Sequence, residues 1–149
     1  MSSLEPGRGA RRVVTGLDSS GRSIVTSDGP TPAQSSTPAY SNNQMWLLDL
    51  PTTVLAEDAS GGQPIDAFPQ AGLVYFITTF PPGSESGMHQ TDTFDILTVV
   101  SGELVCALEE GEVVLAAGDS IVQRGTLHEW INRSEAPATV VTLMVGASR

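Results

Sequence analysis

The stretch GSESGMHQTDTFDILTVVSG, residues 83–102, decides how this chain reads. It holds His89, one of two histidines, and runs from a glycine-rich turn into an alternating apolar segment. Successive side chains of an extended strand point to opposite faces. One face then carries His89, Thr91, Thr93 and Asp95, followed by Leu97 and Val99. A face that is polar at one end and apolar at the other suits a barrel with a polar mouth and a greasy floor. Asp92 falls on the opposite face, outside that pocket. The second histidine lies in GDSIVQRGTLHEWIN, residues 118–132, where His128, Trp130 and Asn132 share a face.

The surrounding sequence has the same rhythm. Strands are expected at Leu73–Phe80, Phe94–Val100, Glu103–Leu108, Glu112–Leu115, Ile121–Gln123, His128–Asn132 and Thr139–Val145. Turn residues separate them, and no amphipathic helix interrupts, which points to an all-β sandwich or barrel. Upstream, Val13–Thr15 and Ser23–Thr26 flank the turn residues Asp18–Gly21 and read as a hairpin. Residues 1–12 read as a flexible tail, 28–43 and 56–72 as loops, and Met45–Leu48 as a short strand. The expected domain is single, spanning 13–149.

Composition bounds the partners. The chain has 149 residues and a net charge of −10, from 17 acidic and 7 basic side chains. Such a surface repels phosphate backbones and anionic lipid, so neither nucleic acid nor membrane is an expected partner. Every basic residue is Arg, which excludes Schiff-base and lysine general-base chemistry. The single cysteine, Cys106, lies in an apolar run and reads as a small buried hydrophobe. Residues 1–12 contain no apolar run of the kind a signal peptide needs, so a cytoplasmic location is expected.

The two histidine-bearing stretches resemble the paired motifs of the cupin superfamily. Gly83, His89, Asp95 and Gly102 fall at the spacings of the first motif, and Gly118, Asp119, His128 and Asn132 match the second in kind. The resemblance covers about residues 73–146 and implies a double-stranded β-helix, or jelly-roll barrel, here with an N-terminal β-hairpin extension. It also implies a metal held by three His and one Glu. This chain departs from that set: Thr91 stands where the second histidine would be, and Asp95 replaces Glu. The second motif is one residue shorter between Gly118 and His128, and Arg124 stands where Pro is usual. The remaining candidates for catalysis and for a divalent metal (Fe, Zn, Mn or Ni) are His89, Asp95 and His128. Two His and one carboxylate suffice for a facial iron triad or an open zinc site.

The remaining pocket candidates each have two readings. Arg124 either binds a substrate carboxylate or is a surface charge. Trp130 either stacks on a ligand or packs in the core. Tyr75 and Phe76 take opposite faces, so one of them lines the pocket. Met88 is expected as a pocket wall, and Thr91 as a weak oxygen ligand or the holder of a water. The resemblance implies a small-molecule enzyme, with lyase or isomerase chemistry leading. A non-haem iron dioxygenase and a non-catalytic ligand-binding barrel stand as alternatives. A homodimer is implied as well.

Overall fold

A computed structural model describes residues 11–30, 33–36, 41–44 and 71–149. Among these residues there is no helix. The strands are β1 (Arg11–Leu17), β2 (Ser23–Pro30), β3 (Ala33–Ser36), β4 (Ser41–Gln44), β5 (Leu73–Phe80) and β6 (Thr93–Ser101). They continue with β7 (Glu103–Leu108), β8 (Glu112–Ala116), β9 (Ser120–Gln123), β10 (His128–Ile131) and β11 (Ala138–Gly146).

The strands from β5 onward coincide with the alternating segments of the sequence to within a residue at each end. Upstream there are differences. Arg11 and Arg12, inside the segment read as a tail, belong to β1, and Arg11 pairs with Asp28 on β2 at 2.8 Å and with Asp119 at 3.0 Å. The span 28–43 is not all loop: β2 runs on to Pro30, and β3 pairs with β4 from Ala33↔Gln44 to Ser36↔Ser41. The strand expected at Met45–Leu48 and the loop expected at 56–70 lie outside the described residues.

A six-stranded sheet runs in the order β2-β1-β9-β6-β11-β5, and a three-stranded sheet in the order β10-β7-β8. The apolar core lies between them. The larger sheet contributes Val13, Leu97, Val99, Ile121 and Val140; the smaller contributes Leu104, Cys106, Leu108, Val113, Leu115 and Trp130. Two apolar sheet faces that bury each other are the simplest way to remove alternating strands from water. The N-terminal hairpin belongs to this barrel, since β1 pairs in parallel with β9 through Val13↔Ile121 and Val14↔Val122.

The crossing from the large sheet to the small one runs through Gly102, between β6 and β7. Its φ is +78°, a conformation L side chains rarely adopt, and an added Cβ would lie 2.5 Å from the Pro137 carbonyl oxygen. Gly83, Gly118 and Gly125 also have positive φ, as expected of turn glycines.

Candidate functional site

The interior face of the large sheet is layered. In one layer Val13, Ile121 and Leu97 are paired neighbours on β1, β9 and β6. One step of two residues along each strand leads to Thr15, Gln123 and Asp95. Gln123 and Asp95 are direct cross-strand partners, and the Thr15 hydroxyl donates to Gln123 Oε1 at 3.0 Å. An apolar floor therefore supports a polar row, and all three polar residues are buried. Burial along β6 alternates as the sequence implied: Thr93, Asp95, Leu97 and Val99 are buried, and their neighbours less so.

Asp95 is 6% exposed, and its Oδ1 has no hydrogen-bond partner among the described residues. Burial pushes its carboxyl up to about 6, while a bond from the Thr93 hydroxyl and the charge of His89 pull the other way. The Thr93 hydroxyl also lies 2.7 Å from that of Thr91. With Thr93 donating to the carboxylate, Thr91 donates to Thr93, and the polar row leads out to the half-buried Thr91.

The imidazoles come from the small sheet. Residues 84–89 run alongside β10, with bridges at Glu85↔Ile131 and His89↔His128. The two histidines exchange both backbone bonds, each at 2.9 Å, and their ring centroids lie 4.4 Å apart. His128 is 2% exposed, and its ring packs edge-on to Trp130 at 5.2 Å. Burial depresses its pKa to about 4, with the Thr126 carbonyl bond opposing and the charge of His89 adding to the shift. At neutral pH the His128 ring is uncharged.

Both rings are oriented in the same way. His89 Nδ1 donates to the Gly87 carbonyl at 2.7 Å, and His128 Nδ1 to the Thr126 carbonyl at 2.8 Å. A carbonyl only accepts, so each Nδ1 carries the proton and each neutral ring keeps its lone pair on Nε2. That is the tautomer a metal ligand or a proton acceptor requires.

The donor set fits a divalent metal in chemistry more than in placement. Two Nε2 lone pairs and a buried, unpartnered carboxylate oxygen are suitable ligands. Among the described residues, however, no group of three His, Cys, Asp or Glu is gathered closely enough to hold a metal ion. The imidazoles are adjacent, and Asp95 stands on the other sheet.

The remaining candidates divide. Trp130 belongs to the apolar core, beside His128. Met88 is 47% exposed and forms no pocket wall, because it lies on the irregular segment before β6, where strand alternation does not hold. Arg124 is exposed, with its guanidinium over Gly16 of β1. The side chain of Tyr75 lies outside the described residues. Asp92 is exposed and paired with Arg149 at 2.5 Å. Cys106 is buried, and desolvation pushes its thiol up to about 12, leaving it unreactive at neutral pH. Asn132 serves the fold: its amide donates to the Phe80 and Ala136 carbonyls, both at 2.9 Å, and its oxygen accepts from Ser134.

Sequence reasoning missed Gln123 and Thr15. Gln123 is fully buried, and its Oε1 accepts from Thr15, from the Thr126 hydroxyl and from the Thr126 backbone N–H at 3.2 Å. The one available signal was register: Gln123 lies two residues past Ile121, on the strand that pairs with β6.

Known proteins are similar to this chain in sequence. The family model described as "Cupin domain" matches residues 76–145. The chain is 33% identical over 141 residues to Phomopsin biosynthesis cluster protein D of Diaporthe leptostromiformis, covering 85% of this chain and 72% of that one. It is 34% identical over 131 residues to the cupin-domain-containing oxidoreductase fogC of Aspergillus ruber, covering 81% of this chain and 63% of that longer protein. Among solved structures it is similar to a Cupin 2 conserved barrel domain protein from Salinispora arenicola, at 19% identity and a TM-score of 0.47, covering 56% of this chain and 72% of that one. On the family model and the sequence relatives together, the chain belongs to the cupin family.

Proposed function

We propose that this cupin is an enzyme that moves protons on an oxygenated small organic molecule inside the barrel, as a lyase or isomerase does. The observation that carries the reading is the convergence of two kinds of group on one interior. Two imidazoles with free Nε2 atoms come from the small sheet, and a buried carboxyl comes from the large one. Asp95 takes a proton from, or returns it to, a carbon beside a carbonyl. His128, neutral and fixed in one tautomer, hydrogen-bonds or relays at the oxygen. His89, half-buried, stands between that ring and solvent. The Thr93 and Thr91 hydroxyls connect Asp95 toward the mouth.

The test is proton exchange. The protein is incubated in D2O with a panel of hydroxy-ketones, β-hydroxy-carbonyls and β-keto acids, and deuterium at carbon is followed by NMR. Incorporation or elimination that falls at least 100-fold in Asp95→Asn and in His128→Ala is the expected result. A panel that neither exchanges nor turns over refutes the reading.

A second reading is a metal-dependent oxidoreductase, a non-haem iron dioxygenase among them. The shared Nδ1-protonated tautomer favours it, as does the oxidoreductase named among the relatives. His89 and His128 would supply the imidazole ligands of the ion, with Asp95 facing them from the other sheet. A bound divalent metal would supply Lewis-acid polarisation or, as iron, oxygen chemistry. Metal content of protein purified without a His tag, compared with His128→Ala, separates the two readings: full iron occupancy with Fe(II)-dependent oxygen uptake favours the second.

Among the described residues no helix is long and apolar enough to cross a membrane. We propose a cytoplasmic homodimer in which β2, an outer strand of the large sheet among the described residues, meets a second copy. Light scattering that gives the mass of one chain at high micromolar concentration would refute the dimer.

A further inference from the structure

Two buried polar atoms on the interior face of the large sheet have no partner among the described residues, and they belong to neighbouring side chains. Asp95 Oδ1 is an acceptor without a donor, and Gln123 Nε2 is a donor without an acceptor. Their residues are direct partners in the β6–β9 ladder. Such partners project to the same face with Cβ atoms about 5 Å apart. That face is the interior, because Leu97 and Ile121, two residues along each strand, are both in the core.

The orientation of the Gln123 amide is fixed. Its oxygen accepts a backbone N–H from Thr126, and a flipped amide would set two donors against each other. The hydroxyls of Thr15 and Thr126 hold the same oxygen. The NH2 group is therefore committed to another direction, and no atom of the described residues receives it. A buried donor and a buried acceptor that lack partners each give up their bonds to water with nothing in return. An arrangement that bears this cost on adjacent residues, beside the imidazoles, is ordered for something that supplies the missing bonds. The link to the imidazoles is direct: Thr126, which holds Gln123 Oε1, also gives its carbonyl to His128 Nδ1.

We propose that Gln123 Nε2 and Asp95 Oδ1 form a donor–acceptor subsite for a neutral substrate group with a carbonyl oxygen beside an N–H or O–H, a carboxamide or a hydroxy-ketone. The carbonyl accepts from Gln123, and the substrate donor bonds Asp95. A carboxylate fits poorly: it would face Asp95, and the neighbouring cation in sequence, Arg124, is exposed rather than buried beside it. This inference rests on the interior site proposed above. It adds Gln123 as a residue that positions substrate and selects among substrates.

Acetamide is the simplest probe, followed by the side-chain NH2 resonance of Gln123 in protein labelled with 15N-glutamine. Saturable movement of that resonance is expected. N,N-dimethylacetamide, which keeps the carbonyl but has no donor, should bind at least tenfold more weakly, and acetate weaker still. Gln123→Glu keeps an oxygen for Thr15 and Thr126 but replaces the donor by an acceptor, so it should weaken acetamide binding at least tenfold, followed at other resonances. The wild-type titration decides the matter even if that variant does not fold. Equal response to all three probes overturns the inference, and so does a resonance that stays fixed because one resident water bridges the pair. Probe binding without exchange or turnover leaves the subsite standing and removes the catalytic reading. Turnover that depends on Asp95 without probe binding removes the subsite alone.

Discussion

The two sheets face one interior but equip it differently. The large sheet sets Gln123 and Asp95 opposite each other by ladder pairing of β9 with β6, and Thr15, one residue past the β1–β9 ladder, joins the row through its hydroxyl bond to Gln123. The small sheet offers imidazoles, one on a regular strand and one on a segment tied to it by isolated bridges. His128 sits on β10, between that segment and β7, and is 2% exposed; His89 lies on the irregular side and is half-buried. A ladder gives a polar row its register, whereas an isolated bridge with a local carbonyl bond gives a ring its orientation and leaves it open to the mouth. The interior thus has one wall set by a ladder and one that is more accessible.

The largest expected effect tests the difference between the two histidines. His128→Ala removes a buried ring packed on Trp130 and should cost about 3 kcal/mol in stability, the range of large-to-small core changes. His89→Ala, at the half-buried position, should cost within about 1 kcal/mol. Both should lower turnover at least 100-fold. Urea unfolding of the two variants checks the first contrast. Equal stability losses would mean that the bridge segment is as firmly built as β10.

A second test sets the sheets against each other through pH. Asp95, on the large sheet, has its folded pKa raised to about 6, so it favours the fold in acid and loses that contribution as pH rises from about 4 to 6. His128, on the small sheet, has its folded pKa lowered to about 4, so its contribution is complete above about 6.5 and is lost as pH falls toward 4. The two slopes oppose each other between pH 4 and 6 and largely cancel. Each is worth at most about 3–4 kcal/mol, from about 1.4 kcal/mol per pKa unit. Relative to the parent, Asp95→Asn should therefore lose stability as pH falls through this window, and His128→Gln should lose it as pH rises. Urea midpoints measured in chelator at pH 4, 5, 6 and 7 give both slopes. Parallel profiles in the two variants would show that the two groups do not titrate as placed.

How much of this was legible in the sequence depends on which faces water reaches. β6 is buried on one side only, so its alternation exposed the face of Thr93, Asp95, Leu97 and Val99. β9 is buried at all four positions and shows no alternation, so Gln123 gave no sign of belonging to the site. The partner that reveals it, Thr15, is 108 residues away in sequence, on a hairpin outside the family motifs. Arg124 drew attention by its charge, yet the residue before it is the one that points inward. Met88 failed as a wall because alternation ends where the chain becomes irregular. The β3–β4 pairing in the span 33–44 joins polar segments without an apolar face, so no period marked it.

The smallest expected effect concerns how the ladder-set wall is joined to its hairpin. Arg11 bonds both Asp28 carboxylate oxygens, at 2.8 and 2.9 Å, and also reaches Asp119 and the Val114 carbonyl, each at 3.0 Å. One guanidinium thus ties β1 to β2, to the edge strand β8 and to the β8–β9 turn. These partners raise the pKa of Arg11 and lower that of Asp28. The group is about one-third exposed, so solvent screens most of the attraction, and Arg11→Ala should cost about 0.5–1 kcal/mol, falling toward zero in high salt. Hydrogen exchange should show the loss at the start of β1 and leave the Asp95–Gln123 pairing protected, because Val13 and Val14 are held to β9 by ladder bonds and burial. Exchange that spread from Arg11 through Thr15 to Gln123 would mean that the polar row depends on its surface clasp and not on the ladder.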